Sequence, residues 1–396
     1  MVKTTEIYYE NAYTDSFDAT VLSSGEEKNG TFFVILDRTA FFPEQGGQSS
    51  DTGYITDEEG LRVNVSHVSI KEGMITHITD APLKEGAKVH GQIDWEHRFS
   101  NMQQHTGEHI FSGIVNSLYG YDNVGFHLSD SEVTMDYSGP LNAEQIKDLE
   151  LRVNKAIWEN VEIKCEFPSD EELKTLEYRS KKELTGDVRI VTVEGYDVCA
   201  CCAPHVKRTG EIGFLKVVSF AAYKGGVRVS ILCGKRALFF IQGEHDILSD
   251  ISKSLTTSAD KVMASVQKMH DENRDLKLKL SECQEKLLSY ELSEIDESLE
   301  DVFMVKDPSM DGNLMRKTVN ALAERHQGYC GIFSGSDQEG YKYIIASGKM
   351  GKDARNVQNA LREGFGAKGG GSSAMIQGSM TGAVIAEVLS DLGKIK

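Results

Sequence analysis

The stretch CACCAPHVKRTGEIG, residues 199–213, sets three cysteines and a histidine within seven positions. Thiols crowded this closely, in a chain with an odd total of seven cysteines, make a poor disulfide framework and suit metal binding in a reducing compartment. A redox pair is the weaker reading, because Cys199-Ala-Cys201 is not a Cys-x-x-Cys motif. His205 lies four residues after Cys201 and three after Cys202. Spacing alone leaves open which thiol accompanies it. Cys165, Cys233 and Cys330 sit in apolar, strand-like runs and are expected in the core.

A partner half-site lies upstream in DWEHRFSNMQQHTGEHIFSG, residues 94–113, which has helical character. His105 and His109, at i and i+4 of a helix, project to one side, as two nitrogen ligands of a single metal ion must. The string is not His-Glu-x-x-His, so the metalloprotease reading lacks its glutamate in the required place. Two histidines from one segment, with a thiolate and a histidine from another, compose a tetrahedral nitrogen and sulfur set.

Working outward, residues 1–95 read as short alternating strands (TFFVIL, LRVNVSHVSI, MITHIT, KVHGQIDW) separated by turns such as SSGEEKNG, which predicts a small β-barrel. Within it runs the Gly-rich loop FFPEQGGQSSDTG, residues 41–53. Residues 96–240 mix helix and strand. Ile146, Leu149, Val153, Ala156 and Ile157 form a helical stripe, VEIKCEF alternates, and the segment after Gly210 turns near Lys224-Gly225-Gly226 as a hairpin. The pattern predicts an α+β domain with an antiparallel sheet. From 245 to 295, Leu248, Leu255, Val262, Met269, Leu276, Cys283 and Tyr290 recur every seven residues, with Ala259, Val266, Leu280 and Leu287 between them. That seam, broken at Ser252 and carrying Asn273 at an a-type position, predicts a long coiled-coil helix and a homodimer through residues 245–295. Residues 300–396 alternate strand and helix as a C-terminal α/β domain, with GAKGGGSSAMIQGSMTG (366–382) read as a loop.

The net charge of −18 argues against a non-specific RNA binder, since broad attraction to phosphate would be weak. No run approaches a membrane-spanning length, and MVKTTEIYYENAYTD lacks the apolar core of a secretory signal, so a cytoplasmic location is expected.

Taken together, the HTGEH and CACCAPH segments and the FFPEQGGQ loop resemble the alanyl-tRNA editing proteins, free-standing relatives of the editing domain of alanyl-tRNA synthetase. The family pairs His-x-x-x-His with a later Cys-x-x-x-His followed by Thr-Gly-Glu-Ile-Gly-like residues. Here these are His105, His109, Cys201 and His205, then Thr209–Gly213. The resemblance extends through a DHHA1-type C-terminal domain, as in the long form. It departs at Cys201-Cys-Ala-Pro-His205, where Cys-Gly-Gly-Thr-His is usual, and in the N-terminal loop, which here reads Phe42-Pro-Glu-Gln-Gly-Gly-Gln48. The family match begins almost at Met1, so no aminoacylation domain is expected ahead of it.

The resemblance implies a Zn²⁺-dependent hydrolase that deacylates tRNA(Ala) mischarged with serine or glycine, with Cys201 as the thiolate ligand and His205 as fourth ligand or base. A pocket built for alanine rejects neither amino acid strongly, which is the circumstance that calls for a second, hydrolytic site. Glu108 is a further catalytic candidate. NVGFHLSDSEV, residues 123–133, occupies the place where the family lines its pocket; Gly125 would permit close approach, and His127 or Ser129 would read a hydroxyl. Gly46 and Gly47 allow positive φ and a backbone nest for phosphate or the acceptor end, and Lys368 is a phosphate-binding candidate. The alternatives are a small-molecule metal-dependent hydrolase and a non-catalytic RNA-binding or dimerisation protein with a structural zinc. A phosphoesterase sharing the last domain would need an Asp-His-His string, which is not in the sequence.

Overall fold

A computed structural model describes residues 3–27, 30–130, 133–180 and 188–395. The chain divides into two compact units, Met1–Ser249 and Asp250–Lys396.

The first unit opens with the expected barrel. Six antiparallel strands close in the order Ser16–Glu26, Phe32–Leu36, Met74–Thr79, Arg62–Lys71, Gly53–Asp57, Lys88–Ile93. Alternation directs Val21, Val34, Leu36, Ile55, Val63, Val68 and Ile75 inward, where they are fully or almost fully buried with Phe41 and Phe42 of the Gly-rich loop. The first strand runs further than its turn-like sequence predicts: Ser23–Glu26 still pair with Phe32–Ile35, beyond a register shift after Val21.

The segment containing HTGEH is a helix, Trp95–Tyr119. Asp94 caps it by accepting from the His97 N–H, and Gly120 ends it in the left-handed region at φ 67°. It is buried on nearly every side from Asn101 to Val115, so its sequence shows no single apolar stripe. A four-stranded sheet packs against it, in the order Leu215–Tyr223, Gly226–Cys233, Val133–Tyr137, Asn123–Leu128. The helix Ala143–Glu159 buries the predicted stripe, Ile146, Leu149, Val153, Ala156 and Ile157. A three-stranded sheet, Ile163–Glu166, Ile190–Val193, Asp197–Ala200, carries the chain to the cysteine cluster.

Two glycines of the long helix set how closely these layers approach. A Cβ on Gly107 would lie 2.4 Å from Cys233 Sγ, and one on Gly113 would lie 2.3 Å from the Tyr196 carbonyl oxygen. Gly113 thereby lets the Tyr196-Asp197 turn rest directly on the helix.

The heptad-bearing stretch forms two helices rather than one: Gly234–Ser254, then Val262–Glu294 after a short 3₁₀ turn. The run Leu255-Thr-Thr-Ser separates them, with Thr256 at φ 50°. Two adjacent β-branched threonines and a serine are poor helix interior. Seam residues Met269, Leu276, Leu280, Leu287 and Tyr290 are exposed, whereas Leu288 is buried against Met310, Leu314 and Met315.

In the second unit a five-stranded mixed sheet has the order Val302–Lys306, Tyr329–Ser336, Gly340–Ser347, Met375–Met380, Lys368–Gly371, the first pair parallel. Helices Gly312–Arg325, Ala354–Phe365 and Ile385–Leu392 accompany it. The stretch 366–382, expected as a loop, is instead an edge hairpin, Lys368–Gly371 against Met375–Met380. Glycine suits that edge, because a Cβ on Gly369 or Gly371 would fall 2.3 Å from Gln377 O or 2.1 Å from Met375 O. None of the seven cysteines is disulfide-bonded. Cys233 and Cys330 are buried as expected, but Cys165 is exposed on an edge strand, past the core that covers Ile163. Among the described residues no helix is long and apolar enough to cross a membrane.

Candidate metal centre

His105, His109, Cys201 and His205 converge, with donor atoms all within 4.8 Å of one another. The first two come from the long helix, and the other two from the segment that follows the strand Asp197–Ala200. Cys201 Sγ lies 3.5 Å from His105 Nε2 and 3.4 Å from His205 Nε2. With Zn–S near 2.3 Å and Zn–N near 2.0 Å, the edge of a zinc tetrahedron is about 3.6 Å, so these separations fit one ion. Cys202, its equal in sequence spacing, turns away and packs against the barrel core beside Gly46. Burial and the neighbouring Cys201 push the Cys202 thiol up to about 12.

Each imidazole is held from behind through Nδ1. His105 Nδ1 donates to Gln48 Oε1 at 2.8 Å, and His109 Nδ1 donates to Asp197 Oδ2 at 2.9 Å. Thr106 Oγ1 gives its one proton to the Met102 carbonyl at 2.7 Å, so it must accept from His205 Nδ1 at 3.0 Å. All three tautomers therefore carry the proton on Nδ1 and leave an Nε2 lone pair facing the cluster, the arrangement metal-binding histidines need. The Ala203 N–H donates to Cys201 Sγ at 3.4 Å, favouring the thiolate. This donor set fits zinc.

Glu108 faces the same space. Its side chain is fully buried, with Oε2 4.0 Å from His109 Nε2. Oε1 accepts from Ser112 Oγ and Asn123 Nδ2, both at 2.6 Å, and Ser112 in turn meets Tyr137 Oη at 2.8 Å. Burial and the charge of Glu108 raise the Tyr137 hydroxyl well above its ordinary value, which keeps it neutral.

The Gly-rich loop closes the site from the barrel side. Gly46 and Gly47 take φ of 65° and 84°, and a Cβ on Gly47 would lie 2.6 Å from the Phe126 carbonyl oxygen. The loop docks on the strand Asn123–Leu128 through Leu128 N–H to Gly47 O at 2.7 Å, which carries Gln48 to His105.

Comparison with known proteins follows the same division. Residues 2–97 match the family of tRNA synthetases class II (A), and residues 188–230 match the Threonyl and Alanyl tRNA synthetase second additional domain. The alanyl-tRNA editing protein AlaX-L of Pyrococcus horikoshii is 31% identical over 296 residues, covering 71% of this chain and 72% of that protein. The chain belongs to the alanyl-tRNA editing proteins. Alanine–tRNA ligases of Ignicoccus hospitalis and Pyrococcus furiosus are 30% and 29% identical over 81% and 95% of the chain. The chain spans only 36% and 42% of those ligases' length.

In this member of the family, the remaining candidates of the first unit, Gly125, His127 and Ser129, lie on or just after the strand Asn123–Leu128 that borders the cluster. Phe126 is the residue of the strand Asn123–Leu128 that meets it, with its ring 4.7 Å from that of His105. Gly125 and His127 alternate to the opposite face. Gly125 lies beside Asp136, and His127 is exposed. The Ser129 carbonyl accepts from Arg236 at 2.7 Å. Lys368 is exposed on the edge strand of the second unit. Motif spacing gives no hint of Gln48, Thr106, Ser112, Asn123 or Asp197 as supporting residues. Asp197 had one available signal: with Cys199 it shares an alternating strand just before Cys201.

Proposed function

We propose that this chain is a trans-editing hydrolase that cleaves the ester of tRNA(Ala) mischarged with serine or glycine, with zinc held by His105, His109, Cys201 and His205. Support comes from family membership together with one observation: a fully buried carboxylate, Glu108, stands 4.0 Å from the ligand atom of His109. A purely structural zinc, the second reading favoured by four protein donors, has no need of that charge.

Zinc, when bound, supplies Lewis acidity toward the ester carbonyl. Glu108 accepts a proton from the attacking water, whose oxygen bonds to the carbonyl carbon. The bond from that carbon to the 3′ oxygen of the tRNA breaks, and Glu108 returns the proton to the leaving oxygen. Asn123 and Ser112 fix the carboxylate for this task by donating to Oε1. Phe126 and the Gly46-Gly47 turn border the cluster where the aminoacyl end would bind, and Ser129 follows at the end of the strand that carries Phe126. Gly125 and His127 on that strand's other face would contact substrate only beyond the cluster, and Lys368 would meet phosphate of the bound tRNA.

We further propose a homodimer through the exposed seam of 262–294, with Asn273 selecting the register.

Glu108→Gln tests the catalytic reading. It should retain bound zinc and lose deacylation of Ser-tRNA(Ala) by about 100-fold or more. Wild-type rates in E108Q would remove Glu108 from the mechanism. Indifference of the wild type to Ser-tRNA(Ala), with zinc present, would remove the function.

A further inference from the structure

Behind the candidate centre lies a charged pair that no motif announces. Asp197 is the one carboxylate among the three groups that hold the imidazoles; Gln48 offers an amide oxygen and Thr106 a hydroxyl. Its side chain is 1% exposed. Arg179 meets it through two nitrogens, Nε to Oδ1 at 2.7 Å and Nη2 to Oδ2 at 2.9 Å. Arg179 is itself fixed by its backbone: its N–H donates to Val198 O at 2.8 Å, and its carbonyl accepts from Ala200 N–H at 2.9 Å. Both neighbours of Cys199 thus hold the arginine against the strand that leads to Cys201.

We infer that Asp197, neutralised and oriented by Arg179, is the positioning residue that makes His109 the dominant nitrogen donor of the centre. A carboxylate accepting Nδ1–H raises imidazole basicity at Nε2 and locks the ring plane, whereas a neutral acceptor gives orientation alone. Arg179 has a second part. Without it, a carboxylate this deeply buried would be an uncompensated charge, costly to keep ionised. His109, Asp197 and Cys199 also lie within 4.8 Å of one another. They do not form a second metal site, because both Asp197 oxygens are already committed to Arg179 and His109.

This inference rests on the metal reading above, and its test separates the two. Zinc is titrated into metal-free protein against a chromophoric chelator, with thermal melts of each metal-free variant alongside. If the wild type takes up no zinc, the metal reading fails. If it takes up one equivalent, Asp197→Asn should weaken affinity by about 10–100-fold. The double variant Arg179→Met with Asp197→Asn leaves no unpaired charge; it should regain thermal stability and not affinity. Wild-type affinity in folded D197N, or recovery of affinity in the double variant, would reduce Asp197 to a structural role. A wild type that takes up two equivalents, one of them lost in D197N, would make Asp197 a ligand. Either result overturns the inference.

Discussion

Arg98 and Asp51 form an ion pair whose side chains are both wholly excluded from solvent, with Arg98 Nε 3.0 Å from each carboxylate oxygen. The pair joins the first turn of the helix that carries His105 and His109 to the Gly-rich loop of the barrel. Arg98 also donates to the carbonyls of Ala12 and Ala40, and Asp51 accepts from the Phe42 N–H. Every polar atom of the linkage is engaged. Removing one partner strands the other, so Asp51→Asn or Arg98→Met should cost about 3–5 kcal/mol. Chemical denaturation measures this directly, and a loss below about 1 kcal/mol would mean the pair is solvated in solution.

The same loop delivers Gln48 to His105. Gln48→Ala removes the acceptor for Nδ1–H, freeing the ring to rotate and to change tautomer. Zinc affinity should fall by about 10-fold or more while the chain remains folded. Competition with a chelator reads the change, and unaltered affinity would show that His105 needs no such support.

Gly113→Ala offers a test in which local and tertiary effects oppose. Alanine favours helix over glycine by about 1 kcal/mol. Here its Cβ would lie 2.3 Å from the Tyr196 carbonyl and 2.8 Å from Asp197 Cβ. The variant should be less stable than the wild type and also bind zinc more weakly, because the turn carrying Asp197 must retreat. A stabilised G113A with normal zinc binding would contradict this packing.

Legibility in the sequence varied with how local the information was. Two histidines one helical turn apart, the stripe Ile146–Ile157, and a turn at Lys224-Gly225 state their geometry in a few residues, and each is found as read. Cys201 could not be told from Cys202 by spacing, since only the fold decides which thiol faces His105. Asp197 and Gln48 lie 88 and 57 residues from their histidines, and a single hydrogen-bonding partner leaves no periodic trace. The helix break at Thr256 and the glycine hairpin at Lys368–Gly371 were hidden for another reason. In both, backbone conformation and close approach outweigh the side-chain pattern.

Inside the barrel, His77 is fully buried, and this burial pulls its pKa down from 6.5 to about 4. Its Nδ1 donates to Val34 O at 3.0 Å, so Nε2 is the acceptor for the Thr39 hydroxyl at 2.9 Å. Between pH 6.5 and 4 the unfolded chain binds a proton that the folded barrel refuses. Stability should therefore fall as pH drops through that window, by at most about 3 kcal/mol from this residue. His77→Gln should lose stability at neutral pH yet show a flatter decline toward pH 4 in urea titrations. An identical slope in both proteins would assign the acid sensitivity elsewhere.

The central claim, that Cys201 and not its neighbour completes a hydrolytic zinc centre, is met most directly by one paired measurement. Zinc content and deacylation of Ser-tRNA(Ala), with Ala-tRNA(Ala) as control, are compared for the wild type, Cys201→Ala and Cys202→Ala. The account predicts a metal-loaded wild type that releases serine faster than alanine, a C201A variant lacking both zinc and activity, and a C202A variant retaining both. Loss of both in C202A with neither lost in C201A, or a zinc-loaded wild type that leaves Ser-tRNA(Ala) intact, would contradict it.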